Sequence, residues 1–195
     1  MIRRQQLIIA ILFGIILAII SVNDFLFFRI ENEYVLSLMI LYIISCLFGF
    51  SGQHILYGLT VATVVFAICF VLNQYGMIGG GDVKLLVPLL LFAEDNAIDF
   101  FVGMSIGGFF LGLTYFIAFR KIFFLRRKIV LTLYVLKKRH KNFMLLNFVL
   151  LSLNRISRKS VAFRRYNSNA LKQEIPYGIA LACGGFFLIW NWCRW

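Results

Sequence analysis

The sequence predicts an all-α, polytopic membrane protein, and three observations carry that expectation. The 195-residue chain is 62% hydrophobic, with a mean hydropathy of +0.89. Charged residues are only 14% of it, against about 25% in an ordinary soluble domain. Its apolar residues fall in runs that approach the ~20 residues a helix needs to cross a bilayer. Little chain remains for a separate soluble unit, so residues 1–195 are expected to form one integral-membrane domain. About six transmembrane helices are expected, with a basic cytoplasmic loop over residues 120–176 that bears interfacial helices.

The first span, Leu7–Val22, follows Met1-Ile2-Arg3-Arg4 and lacks the small-residue cleavage site of a signal peptide, so it is expected to be retained. No charge occurs from Tyr34 to Gly81, enough chain for two helices. The polar break Ser51-Gly52-Gln53-His54 divides it into spans near Tyr34–Phe50 and Ile55–Asn73. Val83–Ala93 is shorter: eleven helical residues reach only about 16 Å, and Pro88 interrupts them. Glu94, Asp95 and Asp99 make a polar exit beyond it, which favours a short, tilted or kinked crossing over a re-entrant element. Phe100–Phe119 is the fifth span. Tyr177–Trp192 starts after Pro176, a residue suited to a first helical turn, and ends among the interfacial aromatics Trp190, Trp192 and Trp195.

Counting crossings assigns sides. Asp24 follows the first span, Asp82 the third and Arg120–Lys172 the fifth, so all three are expected on one face. Arg120–Lys172 holds 15 of the 20 Lys and Arg residues, which places that face in the cytoplasm by the positive-inside rule. Arg3, Arg4 and Arg194 conflict with this orientation and are outweighed. Within the loop, Ile129–Leu136 and Phe143–Leu153 are apolar runs too short to span, separated by Lys137-Lys138-Arg139-His140-Lys141. Helices lying on anionic lipid account for that composition better than nucleic-acid binding does. Cys46, Cys69, Cys183 and Cys193 form no Cys-x-x-Cys pair, and the first three lie in apolar runs as small hydrophobes. His54 and His140 stand alone, so neither a metal nor a cofactor is expected.

Asp24 and Asp82 are two of only eight acidic residues, and each borders an apolar run. Ionisable groups beside hydrocarbon are costly and mark candidate functional sites. Two carboxylates meeting there would hold a single proton between them. The ionised one can take a proton from water while the other polarises a carbonyl, which hydrolyses a peptide bond without a covalent intermediate. Gly79-Gly80-Gly81 before Asp82 opens backbone conformations closed to other residues and lets another chain approach. A helix beginning at Asp82 would place its N-terminal dipole beside the carboxylate. Taken singly, Asp82 also suits a helix N-cap and Asp24 an interfacial residue paired with Arg29. A proton relay in a small transporter uses the same pair.

Gly76-Met77-Ile78-Gly79-Gly80-Gly81-Asp82-Val83-Lys84-Leu85 resembles the second catalytic motif of the type IV prepilin peptidases, membrane aspartyl proteases with a Gly-x-Gly-Asp motif. Asp24, followed by Arg29-Ile30 and Asn32, is similar to their first motif, an Asp followed by Ile-Pro-Asn. Ile175-Pro176-Tyr177-Gly178-Ile179-Ala180 resembles the stretch that opens their last helix. Glu31 departs from the pattern, standing where Pro is usual. The resemblance is to the compact form, without the cysteine-bearing domain of longer members, so no methyltransferase activity is expected. It implies that Asp24 and Asp82 remove the short basic leader of pilin-like precursors at the cytoplasmic face of the cell membrane. It further implies supporting roles for Arg29, Asn32 and Lys84, which could orient an aspartate or tune its charge, and a place near the site for Tyr177 and Gly178. Helix-end anchoring explains Arg29 and Lys84 equally, and ordinary helix packing explains Tyr177 and Gly178. A non-catalytic scaffold for pilus assembly is the remaining alternative.

Overall fold

A computed structural model describes residues 2–28, 30–48, 55–139 and 176–194. Arg29, the polar break Ser51–His54, the loop from His140 to Ile175 with its apolar run Phe143–Leu153, and Trp195 lie outside them. The described residues form α1 (Ile2–Phe27), α2 (Asn32–Leu47), α3 (Ile55–Gln74), α4 (Gly80–Ala93), α5 (Ala97–Arg139) and α6 (Tyr177–Arg194), with no strand among them. By length and composition, three helical stretches suffice to cross a membrane: Leu7–Phe27, Ile55–Gln74 and Gly80–Ala118. Asn32–Leu47 and Tyr177–Trp190 are shorter apolar helices.

The short α4 is the most enclosed element. Nine of its fourteen residues are buried, Pro88 among them, because α2, α3 and α6 pack around it. A helix so sheltered need not match the bilayer's thickness, since its flanks meet protein rather than lipid. The helix also continues through Pro88 where the sequence suggested an interruption. By contrast α3 fully buries only Gly58, Ala62 and Cys69 of its twenty residues, with Val61 and Val65 partly buried against the core, and leaves most of its other apolar side chains exposed. A three-residue 3₁₀ turn, Glu94–Asn96, joins α4 to α5, and Glu94 takes a φ of 42° to redirect the chain.

At one end of the bundle four aromatic side chains tie four helices together. Phe13 of α1 lies 4.6 Å from Phe92 of α4 and 5.3 Å from Trp192 of α6, centroid to centroid. Tyr42 of α2 meets Phe92 edge-on at 5.2 Å. Such tilted and edge-on pairs contribute about 0.5–1.5 kcal/mol each beyond the area they bury.

α5 and α6 approach closely because small residues face one another. A Cβ on Gly107 would stand 2.5 Å from Cβ of Cys183, so no larger residue fits without moving a helix. Gly107→Val is therefore expected to destabilise the bundle by about 1–3 kcal/mol, read as a lower midpoint of thermal unfolding in detergent. An unchanged midpoint would show that the contact yields without cost.

α5 is broken at Ala118 (φ −115°, ψ 18°), one residue from the expected boundary at Phe119, so two helices meet there at a kink, and Ile129–Leu136 lies in the second of them, which runs to Arg139. Helical structure resumes beyond the kink for a local reason: no Gly or Pro occurs between Gly112 and Arg139, and Leu, Lys and Arg are good helix formers.

Candidate functional site

The end of the bundle away from the aromatic cluster gathers the ends of four helices. α1 finishes there, with Phe28 ending it at a φ of 49° and donating its N–H to the Asp24 carbonyl at 2.8 Å. α2, α4 and α6 begin there. Asp24 therefore arrives on the last turn of α1, and Asp82 on the first turn of α4.

Asp24 is only 4% exposed. Its Oδ2 accepts a hydrogen bond of 2.8 Å from the backbone N–H of Gly178, the second residue of α6. The first N–H groups of a helix have no partner within it, so a carboxylate placed there satisfies one and meets the favourable end of the helix dipole. Gly178 is required for this approach. A Cβ at that position would lie 2.9 Å from Asp24 Oδ2 and 3.1 Å from Cδ1 of Ile30.

Asp82 is half-buried. Its carboxylate folds back toward Gly79, where a Cβ would stand 2.8 Å from Oδ2. Gly79 opens the helix by accepting from the N–H groups of Asp82 and Val83 at 3.1 and 3.2 Å. Its own backbone is ordinary (φ −67°, ψ 135°). Among the described glycines only Gly76 has a positive φ, 72°. The sequence placed the special backbone at Gly79-Gly80-Gly81. Instead Gly76 makes the turn, Gly79 and Gly81 leave room for neighbours, and Gly80 and Gly81 are already helical. Asn73, at the end of α3, braces this turn by donating from Nδ2 to the Ile78 carbonyl at 2.6 Å.

Ile30 connects the two aspartate-bearing segments. Its side chain packs against Gly178, and it also lies 3.3 Å from where a Cβ of Gly81 would be. A second link is the hydrogen bond from Lys84 Nζ on α4 to Asn32 Oδ1 at the start of α2, 3.3 Å and exposed. Asp24 and Asp82 thus occupy one end of the bundle, joined through Ile30. Tyr177 is 57% exposed, so its neighbour Gly178 is the residue of that motif at Asp24. Arg29 is outside the described residues.

The sequence offered no signal for Asn23, Tyr34 or Asn73 as parts of the site, and it marked Ile30 only as a letter of the first motif, not as a contact between the two segments. Asn23 is fully buried and donates from Nδ2 to Tyr34 Oη at 3.2 Å and to the Ile19 carbonyl at 3.0 Å. Among the described residues, no group of three or more His, Cys, Asp or Glu side chains is placed to hold a metal ion.

A family model described as the type IV leader peptidase family matches residues 11–119, more than half of the chain, and its range covers both aspartates. No curated protein and no solved structure matches the chain.

Proposed function

The chain belongs to the type IV leader peptidase family, and on that premise we propose that Asp24 and Asp82 form its catalytic dyad, activating water to remove the short basic leader of type IV pilin-like precursors. The single observation that carries this reading is the junction at Ile30, which brings the Asp24–Gly178 contact and the Gly81–Asp82 turn to one end of the bundle.

In the proposed reaction the ionised carboxylate takes a proton from water as its oxygen attacks the scissile carbonyl carbon. The other carboxyl gives its proton to the carbonyl oxygen. The tetrahedral intermediate then collapses and the C–N bond breaks: the leaving amine takes the proton that the first carboxylate drew from water, and a hydroxyl of the intermediate returns its proton to the second carboxylate as the carbonyl re-forms. No covalent enzyme intermediate is required.

The same proposal sets the site at the cytoplasmic face of the cell membrane, with six crossings and the basic segment Arg120–Lys172 lying on anionic lipid. Positive-inside topology supports that orientation. A basic leader would be repelled by the segment itself, which favours lipid as its partner. Asn32 and Lys84 then serve to hold α2 against α4, as their hydrogen bond indicates.

Co-expression with a pilin-like precursor tests the function, scored by the mass of the mature product. The expected product lacks the leader. A precursor left intact by this protein but cleaved by another family member would overturn the assignment for that substrate. Cleavage that survives loss of the aspartates, with altered ion- or solute-linked flux, would favour the transporter alternative.

A further inference from the structure

Asn23 and Asp24 are consecutive residues on the last turn of α1, so their side chains project about 100° apart around the helix. One reaches α2 and the other α6: Asn23 Nδ2 donates to Tyr34 Oη at 3.2 Å, while Asp24 Oδ2 accepts from the Gly178 N–H at 2.8 Å. Asn23 is 0% exposed and Tyr34 1%. A buried amide is costly unless hydrogen-bonded, and this one spends a bond on the neighbouring helix. The two contacts point in different directions, so any rotation of the end of α1 breaks one of them. The four-residue connection between Phe27 and Asn32 carries Ile30, which rests on both Gly81 and Gly178. Asn23 and Tyr34 bracket that connection.

We infer that Tyr34, acting through Asn23, is a positioning residue for Asp24: the Asn23–Tyr34 hydrogen bond fixes the rotation of the last turn of α1 that presents Asp24 to the Gly178 N–H. This inference rests on the proposed role of Asp24.

The test uses the full chain in membranes and a purified pilin-like precursor with its leader, with rates normalised to folded enzyme. Tyr34→Phe removes one hydroxyl and little volume. It is expected to lower kcat about tenfold while KM stays within about twofold, since a misplaced catalytic group costs rate more than binding. Asn23→Ala is expected to do the same. The double variant should be no slower than the slower single one, because both changes break one bond.

Tyr42→Phe is the matched control. Tyr42 is another buried phenol of α2, eight residues along and about 12 Å away by helical rise, at the aromatic end of the bundle. Its loss should leave kcat unchanged. Wild-type kcat in Tyr34→Phe and Asn23→Ala overturns the inference, as do losses that multiply in the double variant or an equal loss in Tyr42→Phe. If Tyr34→Phe does not fold, Asn23→Ser breaks the same bond from the other side and is judged by the same criteria. An Asp24→Asn enzyme that still cleaves removes the dyad itself, whereas inactive Asp24→Asn with unaffected Tyr34→Phe removes the positioning role alone.

Discussion

Asp24→Asn and Asp82→Asn are each expected to lower leader cleavage by roughly a hundredfold to ten-thousandfold, the range that one positioned acid or base contributes. Both substitutions are nearly isosteric and leave the fold in place. Asn at 24 still accepts from the Gly178 N–H through its amide oxygen, so insertion and thermal unfolding should match wild type. The two variants combined should be little worse than either alone, because residues that act as one unit are strongly non-additive. The measurement is the fraction of precursor converted per unit of folded enzyme in membranes. If either variant keeps more than about a tenth of the wild-type rate, its carboxylate is not half of a water-activating pair.

Gly178→Ala is expected to have the second-largest effect from a single methyl group. That methyl would sit 2.9 Å from Asp24 Oδ2, 3.0 Å from its Cγ and 3.1 Å from Ile30 Cδ1. Neither neighbour has an easy retreat, since Asp24 is 4% exposed and Ile30 rests on Gly81. The carboxylate must move, and a displacement of about 1 Å at a reacting group costs on the order of a hundredfold in rate. Leader cleavage should fall by about that factor, while the protein remains folded with a modest loss of stability. The same substitution at Gly112, which has open space around it, should leave cleavage unchanged. Equal losses at both positions would point to a general effect of glycine replacement on the helices.

The candidate site was partly legible before any coordinates. Asp24 and Asp82 stood out because acidic residues are rare here and each borders an apolar run. The glycines before Asp82 stood out as room for another chain to approach, whereas the close contacts there are with Asp82's own carboxylate and Ile30, and the positive φ falls at Gly76. Local sequence carries a glycine's permission but not its use, because the backbone angles of a turn are set by where its two helices must go. The end of the fifth apolar run was legible too, since the helix breaks at Ala118, beside Phe119. The length of the helix beyond the kink was not, because its basic residues read as a loop, whereas the lack of any Gly or Pro up to Arg139 lets helical structure resume.

Asn23 and Tyr34 were not legible at all, and Ile30 was legible only as a letter of the first motif, not as a contact. An asparagine beside an apolar run has no signature until its partners are known, and an isoleucine's packing has none either. Those partners come from α2, α4 and α6.

The sequence by itself determined the membrane class, the helices as units, the two aspartates and the family, since hydropathy, rare charges and short motifs are local properties of the chain. Only the tertiary structure decided that a backbone N–H holds Asp24 from 154 residues away, that one isoleucine spans the two aspartate-bearing segments, and that α4 can be short because other helices enclose it. These depend on how helices cross and how closely they approach. Packing sets both, because each pair contact is a compromise among all the helices that touch it.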